Sequence, residues 1–236
     1  MTLTEGPTFP PLLRGEEVRA GQDPLLKAAS QAAIGTDPGL ICWQIDATYL
    51  RTALVLAPEE PLATAMEASF AVALGFGDAL GALAPPEVAV HFDWPGGFRV
   101  NGAECGHMRA IASTADPSQV PDWLVVGMQI PFLPPRDDEP GLSPTATCLI
   151  EEGCGEVTPL MLLESWSRHT LVWINRLMED GFEPLHAAWR ERAWEMGEAL
   201  PEGGIFMGLD EIGGRLVKND TGTRIEPLTL LLENVT

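Results

Sequence analysis

Hydrophobic and polar positions alternate most regularly between Val88 and Ala112. Val88, Val90 and Phe92 alternate with Ala89, His91 and Asp93, the two-residue period of a strand buried on one face. Pro95-Gly96-Gly97 interrupts the pattern and Phe98-Arg99-Val100 resumes it. Asn101-Gly102 is the dipeptide best suited to a type I′ hairpin turn. A third strand from about Glu104 to Ala112 and a fourth over Leu124–Ile130 complete an expected antiparallel meander whose face can serve as a ligand floor. Earlier in the chain, Leu40–Ile45 and Leu50–Leu56 read as two strands joined by the short Asp46–Tyr49.

Helical periodicity appears in four places. Asp23 as N-cap and Pro24 at the first helical position start a helix with apolar Leu25, Leu26, Ala29, Ala32 and Ala33, and Gly35 ends it. Leu62, Met66, Ser69, Phe70, Ala73 and Leu74 mark a second. Thr158-Pro159 starts the longest, with Leu163, Trp166, Thr170, Trp173 and Leu177 on one side and Gly181 at its end. Pro184–Glu198, carrying Trp189 and Trp194, reads as a fourth helix. After Gly203-Gly204 come short β-like runs, Ile205–Leu209, Arg215–Val217, Arg224–Glu226 and Leu228–Leu232. The order predicts an α+β fold: a largely antiparallel mixed sheet packed with helices, then a small C-terminal β module.

Composition narrows the function. With a formal charge of −20, the chain repels phosphate backbones and anionic membrane surfaces, so neither nucleic acid nor membrane is an expected partner. The most apolar stretch, Ala68–Leu83, is too short and too interrupted by glycine and Asp78 to read as a membrane span. Four cysteines (Cys42, Cys105, Cys148, Cys154) read as reduced thiols, and with no signal-like N-terminus the expected location is cytoplasmic. Cys105, His107, Cys148 and Cys154 lack paired metal-ligand spacing, so no metal site is expected. The glycines of Gly75–Gly81 lie within a helix, which excludes a phosphate-binding loop. A Pro-rich polar loop, Leu133–Thr145, carries Arg136, Asp137, Asp138 and Glu139.

Trp94-Pro95, Val100-Asn101-Gly102, Cys105-Gly106 and Trp123-Leu124-Val125-Val126-Gly127-Met128-Gln129-Ile130, in that order, resemble the biotin/lipoate protein ligase family. Its catalytic domain shows Trp-Pro-Asn-Asp, a lysine shortly before an Ala-Gly or Gly-Gly pair, and a strand ending Gly-Ile-Gly-Ile-Asn. Gly181-Phe182-Glu183-Pro184-Leu185, and Trp189 followed by Gly197, are similar to the end of that domain. Gly208–Leu232 looks like the SH3-like module of bacterial biotin ligases. The resemblance implies a class II aminoacyl-tRNA-synthetase/biotin-ligase-like fold. Its parts are an N-terminal arm (1–23), a ligase-like domain (24–203) and an SH3-like β domain (204–236). It also implies ATP and Mg²⁺ with biotin or lipoate, and an acyl group passed to a lysine of a carrier protein.

The same resemblance marks departures. The family's Gly/Arg-rich loop belongs where only Asp46–Tyr49 stand. Gly96-Gly97 replaces Asn-Asp, Pro131 replaces the closing Asn, and the catalytic lysine belongs near Ala103 or Glu104. No lysine occurs between Lys27 and Lys218. The remaining ligand candidates are Trp43, Trp94, Gly96, Gly97, Arg99, Asn101, Gly106, His107 and Gln129, with Arg109 as a further guanidinium. Arg99 and Arg109 suit a carboxylate, or are solvated strand residues. His107 is read as a donor beside Gly106 or as a hydrogen-bonded sheet residue; Trp43 and Trp94 wall a ligand or pack in the core. Cys105 and His107, two apart on a strand, share a face by alternation and are the speculative catalytic pair. Three readings follow: a non-catalytic binder or sensor of a small carboxylic acid, a divergent acyl ligase or acyltransferase working through Cys105, or an interaction protein with a collapsed pocket. The acidic charge opposes encounter with the acidic carriers usual for the family.

Overall fold

The computed structural model describes residues 6–134 and 145–233. The Pro-rich loop with Arg136 to Glu139 lies outside them. The chain runs β1 (Arg14–Glu17), α1 (Pro24–Ala33), β2 (Leu40–Ile45), β3 (Tyr49–Leu56), α2 (Leu62–Ala65), α3 (Ala68–Leu83), β4 (Val90–Asp93), β5 (Gly97–Val100), β6 (Ala103–Ala112) and β7 (Leu124–Pro131). It continues with α4 (Pro159–Asp180), α5 (Glu183–Arg190), β8 (Ile205–Leu209), β9 (Arg215–Asn219) and β10 (Gly222–Glu226). A seven-stranded sheet in the order β1-β2-β3-β7-β6-β5-β4 forms the centre, and β10-β9-β8 form the small module. Among the strands described only the β1–β2 pair is parallel, so the mixed, largely antiparallel α+β architecture holds.

Local chemistry explains the well-matched elements. Asp23 caps α1 by accepting from the Leu25 amide, Thr158 caps α4 by accepting from Met161, and each cap is followed by proline. Asn101 and Gly102 both take positive φ (51° and 90°), as a type I′ turn requires. On one face of the sheet, α1 lies over the in-register apolar ladder Leu40·Val55·Val125·Ile111. On the other, α3 is sandwiched between the strands and α4, and Trp166 is fully buried with its indole N–H on the Val72 carbonyl (3.3 Å). That position makes α3 apolar all round. Together α2 and α3, Leu62–Leu83, reach a mean hydropathy of 1.3 and are long and apolar enough to cross a membrane, against the reading above. Here 72% of the most apolar window is buried inside the protein.

Three expectations need correction. The N-terminal arm contributes strand β1, which covers the edge of β2. The helix expected over Pro184–Glu198 stops at Arg190. Beyond it, Phe92 N–H bonds Arg192 O (2.9 Å) and Trp194 N–H bonds Phe92 O (2.8 Å), so this segment pairs the otherwise bare edge of β4. Leu228–Leu231 is a 3₁₀ turn rather than a strand, and only Leu232 pairs, beside Ala110 of β6.

Candidate functional site

Register places four polar side chains in one row across the α1 face. Gln44 (β2) is opposite Arg51 (β3), Arg51 is opposite Gln129 (β7), and Gln129 is opposite His107 (β6). The row closes the end of the apolar ladder beneath α1. Arg51 Nε donates to Gln129 Oε1 (3.0 Å) and its Nη1 to Gln44 Oε1 (3.4 Å). The same guanidinium pairs with Asp46 and lies over the Tyr49 ring (4.6 Å). Asp46 also accepts from the Thr48 and Tyr49 amides (2.8 Å each), which shapes the short β2–β3 join. Burial would raise the Asp46 carboxyl, but the Arg51 hydrogen bond and the two amides outweigh it and hold it below the ordinary carboxylate range.

Two residues further along, Arg109 sits opposite Gly127. Its Nη1 donates to Asp23, the cap of α1 (2.6 Å), while Nε and Nη2 fork onto Glu233 (2.6 and 2.8 Å). Glu233 reaches it because its own N–H bonds Ala110 O (2.8 Å) along the free upper edge of β6. Gly127 lets α1 settle this close: a Cβ there would meet Leu25 Cδ1 at 3.2 Å and Thr52 O at 2.7 Å. The crevice between Asp23, Arg51, Arg109 and Gln129 holds about 10 Å³, room for roughly one water.

The structure divides the candidates read from sequence. His107 and Gln129 belong to the α1 face, with Arg109, while Gly106 sits in the bulge, where a Cβ would overlap the Gln129 carbonyl and press on Ile130. Trp43 is buried in the core of the opposite face. Trp94, Gly97, Arg99 and Asn101 sit at the far β4–β5 end: Trp94 donates to Gly213 O (2.9 Å), Arg99 pairs with Asp93 (2.6 Å), and Asn101 ties Ala89 to Glu152. Gly96 is covered by Leu231, whose Cδ1 stands 2.7 Å from where a Cβ would be.

The proposed pairing of Cys105 with His107 fails geometrically. Gly106 takes φ +100°, and pairing between β5 and β6 shifts register there. This bulge reverses the alternation, so Cys105 faces the core with Met108 and Ala110 while His107 faces the α1 side with Arg109 and Ile111. Cys105 is 0% exposed, and burial pushes its thiol far above the ordinary range. Among the described residues no group of three His, Cys, Asp or Glu side chains is placed to hold a metal. Sequence reading missed Asp23, Gln44, Arg51, Asp46 and Glu233 as site residues. Parity along β3, where Arg51 shares a face with Ala53 and Val55, was the available signal for Arg51.

A large mixed sheet packed with helices, followed by a small three-stranded β module, is the fold this chain shares with biotin protein ligases. The ligase from Aquifex aeolicus in complex with biotin and ATP superposes with a TM-score of 0.67 at 18% identity, covering 90% of this chain and 94% of its own. A biotin protein ligase-like protein of unknown function from Silicibacter sp. tm1040 is 50% identical, with a TM-score of 0.91 over 97% of this chain and 100% of its own. Biotin–acetyl-CoA-carboxylase ligase of Paracoccus denitrificans is 27% identical over 193 residues, 78% of this chain and 80% of that protein. Residues 9–191 match the biotin/lipoate A/B protein ligase family, and the chain belongs to that family. The three-stranded C-terminal sheet fits the family's SH3-like module.

Proposed function

We propose that this ligase-fold protein binds a small carboxylic acid on the α1 face without adenylating it. The observation that carries the reading is the pair of guanidinium groups, Arg51 and Arg109, flanking Gln129, each already holding carboxylates of the chain itself. Two forked donors and an amide form a carboxylate-recognition site; an incoming acid exchanges with Glu233 or Asp46. The ATP and Mg²⁺ implied by the family do not fit these residues. Leu231 covers Gly96, and no lysine lies between Lys27 and Lys218 to meet developing phosphoryl charge. Loss of a single such donor costs about 10²–10³ in rate. Acyl transfer through Cys105 is disfavoured by its burial on the opposite face.

The Paracoccus and Aquifex relatives make biotin the first acid to try, followed by lipoate and octanoate. Calorimetric titration should show saturable binding of one of them, weakened at least ten-fold by Arg51→Gln. Pyrophosphate release from ATP should stay at background with every acid. Acid-dependent pyrophosphate release would overturn the non-adenylating reading, and failure of all three acids to bind would overturn the site. The small volume of the crevice favours one alternative, an interaction protein with a filled pocket, for which no acid raises the melting temperature.

A further inference from the structure

A second, much larger cavity lies at the far end of the sheet, between the β4–β5 hairpin and the C-terminal module. It encloses about 280 Å³, close to the lower bound of ordinary small-molecule sites, and shares no lining residue with the α1-face crevice. The indoles of Trp94 and Trp194 form two of its walls, and Phe206 and Leu200 supply further apolar surface.

Its arginines are already committed. Arg99 stacks on the Trp194 ring (5.0 Å) and is bonded to Asp93 (2.6 Å), the Gly102 carbonyl (2.9 Å) and Glu104 (3.4 Å). Arg215 stacks on Trp94 (4.8 Å) and pairs with Glu202 and Glu226 (2.6 Å each). Both positive charges are therefore neutralised from within, and Glu195, a third lining carboxylate beside Asp93 and Glu202, has no ion pair among the described residues. Burial first, then Glu195 and Glu104, hold the Asp93 carboxyl above the ordinary value despite the Arg99 contact.

The backbone holds Glu195 at this spot in an unfavourable conformation. Its φ is +58°, a left-handed region that side-chain-bearing residues avoid. Flanking hydrogen bonds fix it there: Trp194 N–H to Phe92 O (2.8 Å) and Gly197 N–H to Phe206 O (2.7 Å). The Trp194 indole N–H has no acceptor among the described residues, so its signal is free to report what enters the cavity.

We propose that this cavity binds a small organic cation with a flat apolar body, an arylalkylamine or an arylamidine, whose charge faces Glu195 and whose body lies against the indole walls. Surplus carboxylate and aromatic surface together select a cation over an acid, and the net charge of −20 draws cations to the protein. This ligand has the opposite sign from the acid proposed on the α1 face.

Benzamidine and tyramine are suitable probes, with benzoate and benzyl alcohol as charge-reversed and neutral counterparts. Calorimetry should show saturable binding of the cations and none of benzoate or benzyl alcohol at the same concentrations. In ¹H–¹⁵N spectra the indole signal that Trp194→Phe removes should shift on titration. Glu195→Gln, and Glu195→Gly, which suits the left-handed backbone, should each weaken benzamidine at least five-fold while leaving any acid binding at the α1 face unchanged. No saturable cation binding, equal binding of benzoate, or undiminished binding by folded Glu195 variants would overturn the proposal.

Discussion

Two glycines of the same helix should respond to the same substitution with opposite signs. Gly75 and Gly81 both lie in α3, where replacing glycine by alanine ordinarily gains about 1 kcal/mol of helix stability. At Gly81 a new Cβ meets nothing within 4 Å, so Gly81→Ala should stabilise by about 0.5–1 kcal/mol. At Gly75 the new Cβ would overlap Thr170 Oγ1 and stand 2.9 Å from Thr170 Cα and N. A hydroxyl can rotate away, but the α4 backbone cannot, so the helices must part or α3 must shift. Overpacking of this kind costs about 1–3 kcal/mol, which outweighs the propensity gain and leaves Gly75→Ala destabilised by about 1–2 kcal/mol. Urea unfolding followed by circular dichroism should separate the two variants by about 1.5–3 kcal/mol, the propensity gain on one side and the net packing cost on the other. In melting temperature, Gly81→Ala should rise and Gly75→Ala fall by about 2–4 °C per kcal/mol. Adding Thr170→Ala to Gly75→Ala should recover part of the loss, since the hydroxyl clash goes and the backbone contact stays. Equal stabilisation by both single substitutions would refute the argument that close approach of α3 and α4 requires Gly75.

Glu67, buried between α2 and α3, is pushed up to about 7 from the usual 4.5, first by burial and then by Glu60. Folding therefore takes up a proton: the stabilisation is complete below about pH 4.5 and lost as pH rises through 7. Melting temperature should fall between pH 5 and 8 in the native protein, and less steeply in Glu67→Gln; identical slopes would contradict the assignment. Asp23→Ala removes both the α1 cap and one partner of Arg109, so unfolding should come earlier by about 1–2 kcal/mol, with the effect shrinking at high salt only for the ion-pair part. Restoring a lysine through Ala103→Lys should leave pyrophosphate release at background, because Leu231 still covers Gly96; measurable acid-dependent release would show that the lysine alone was missing.

Near-continuous apolar runs made the strands packed on both faces legible, as in Leu50–Leu56 and Leu124–Ile130, and capping pairs such as Asp23-Pro24 and Thr158-Pro159 fixed helix starts through chemistry local to a few residues. What escaped depends on partners distant in sequence. The glycine at 106 is visible, but its positive φ, which reverses the parity between Cys105 and His107, follows from pairing with β5 and β7. The helical pattern through Trp194 is real, yet the backbone there satisfies the edge of β4 instead. Arg51 looked like the start of a strand; only the in-register opposition of Gln44 and Gln129 makes it the centre of a site. Glu233 carries no local signal at all, since its meaning lies 124 residues away on Arg109.

That last contact bears on how the chain is made. During vectorial synthesis β6 emerges with its upper edge uncovered and the Arg109 guanidinium short of two of its three bonds. Neither is completed until the C-terminal module has been threaded out and Leu228 and Leu231 have buried themselves against the main domain. Until then a nascent ligase-like domain displays an unpaired strand, a natural substrate for a holdase or for a neighbouring nascent chain. The glycine pair at 203–204 thus separates two units in topology, while the order of translation binds them into one folding event.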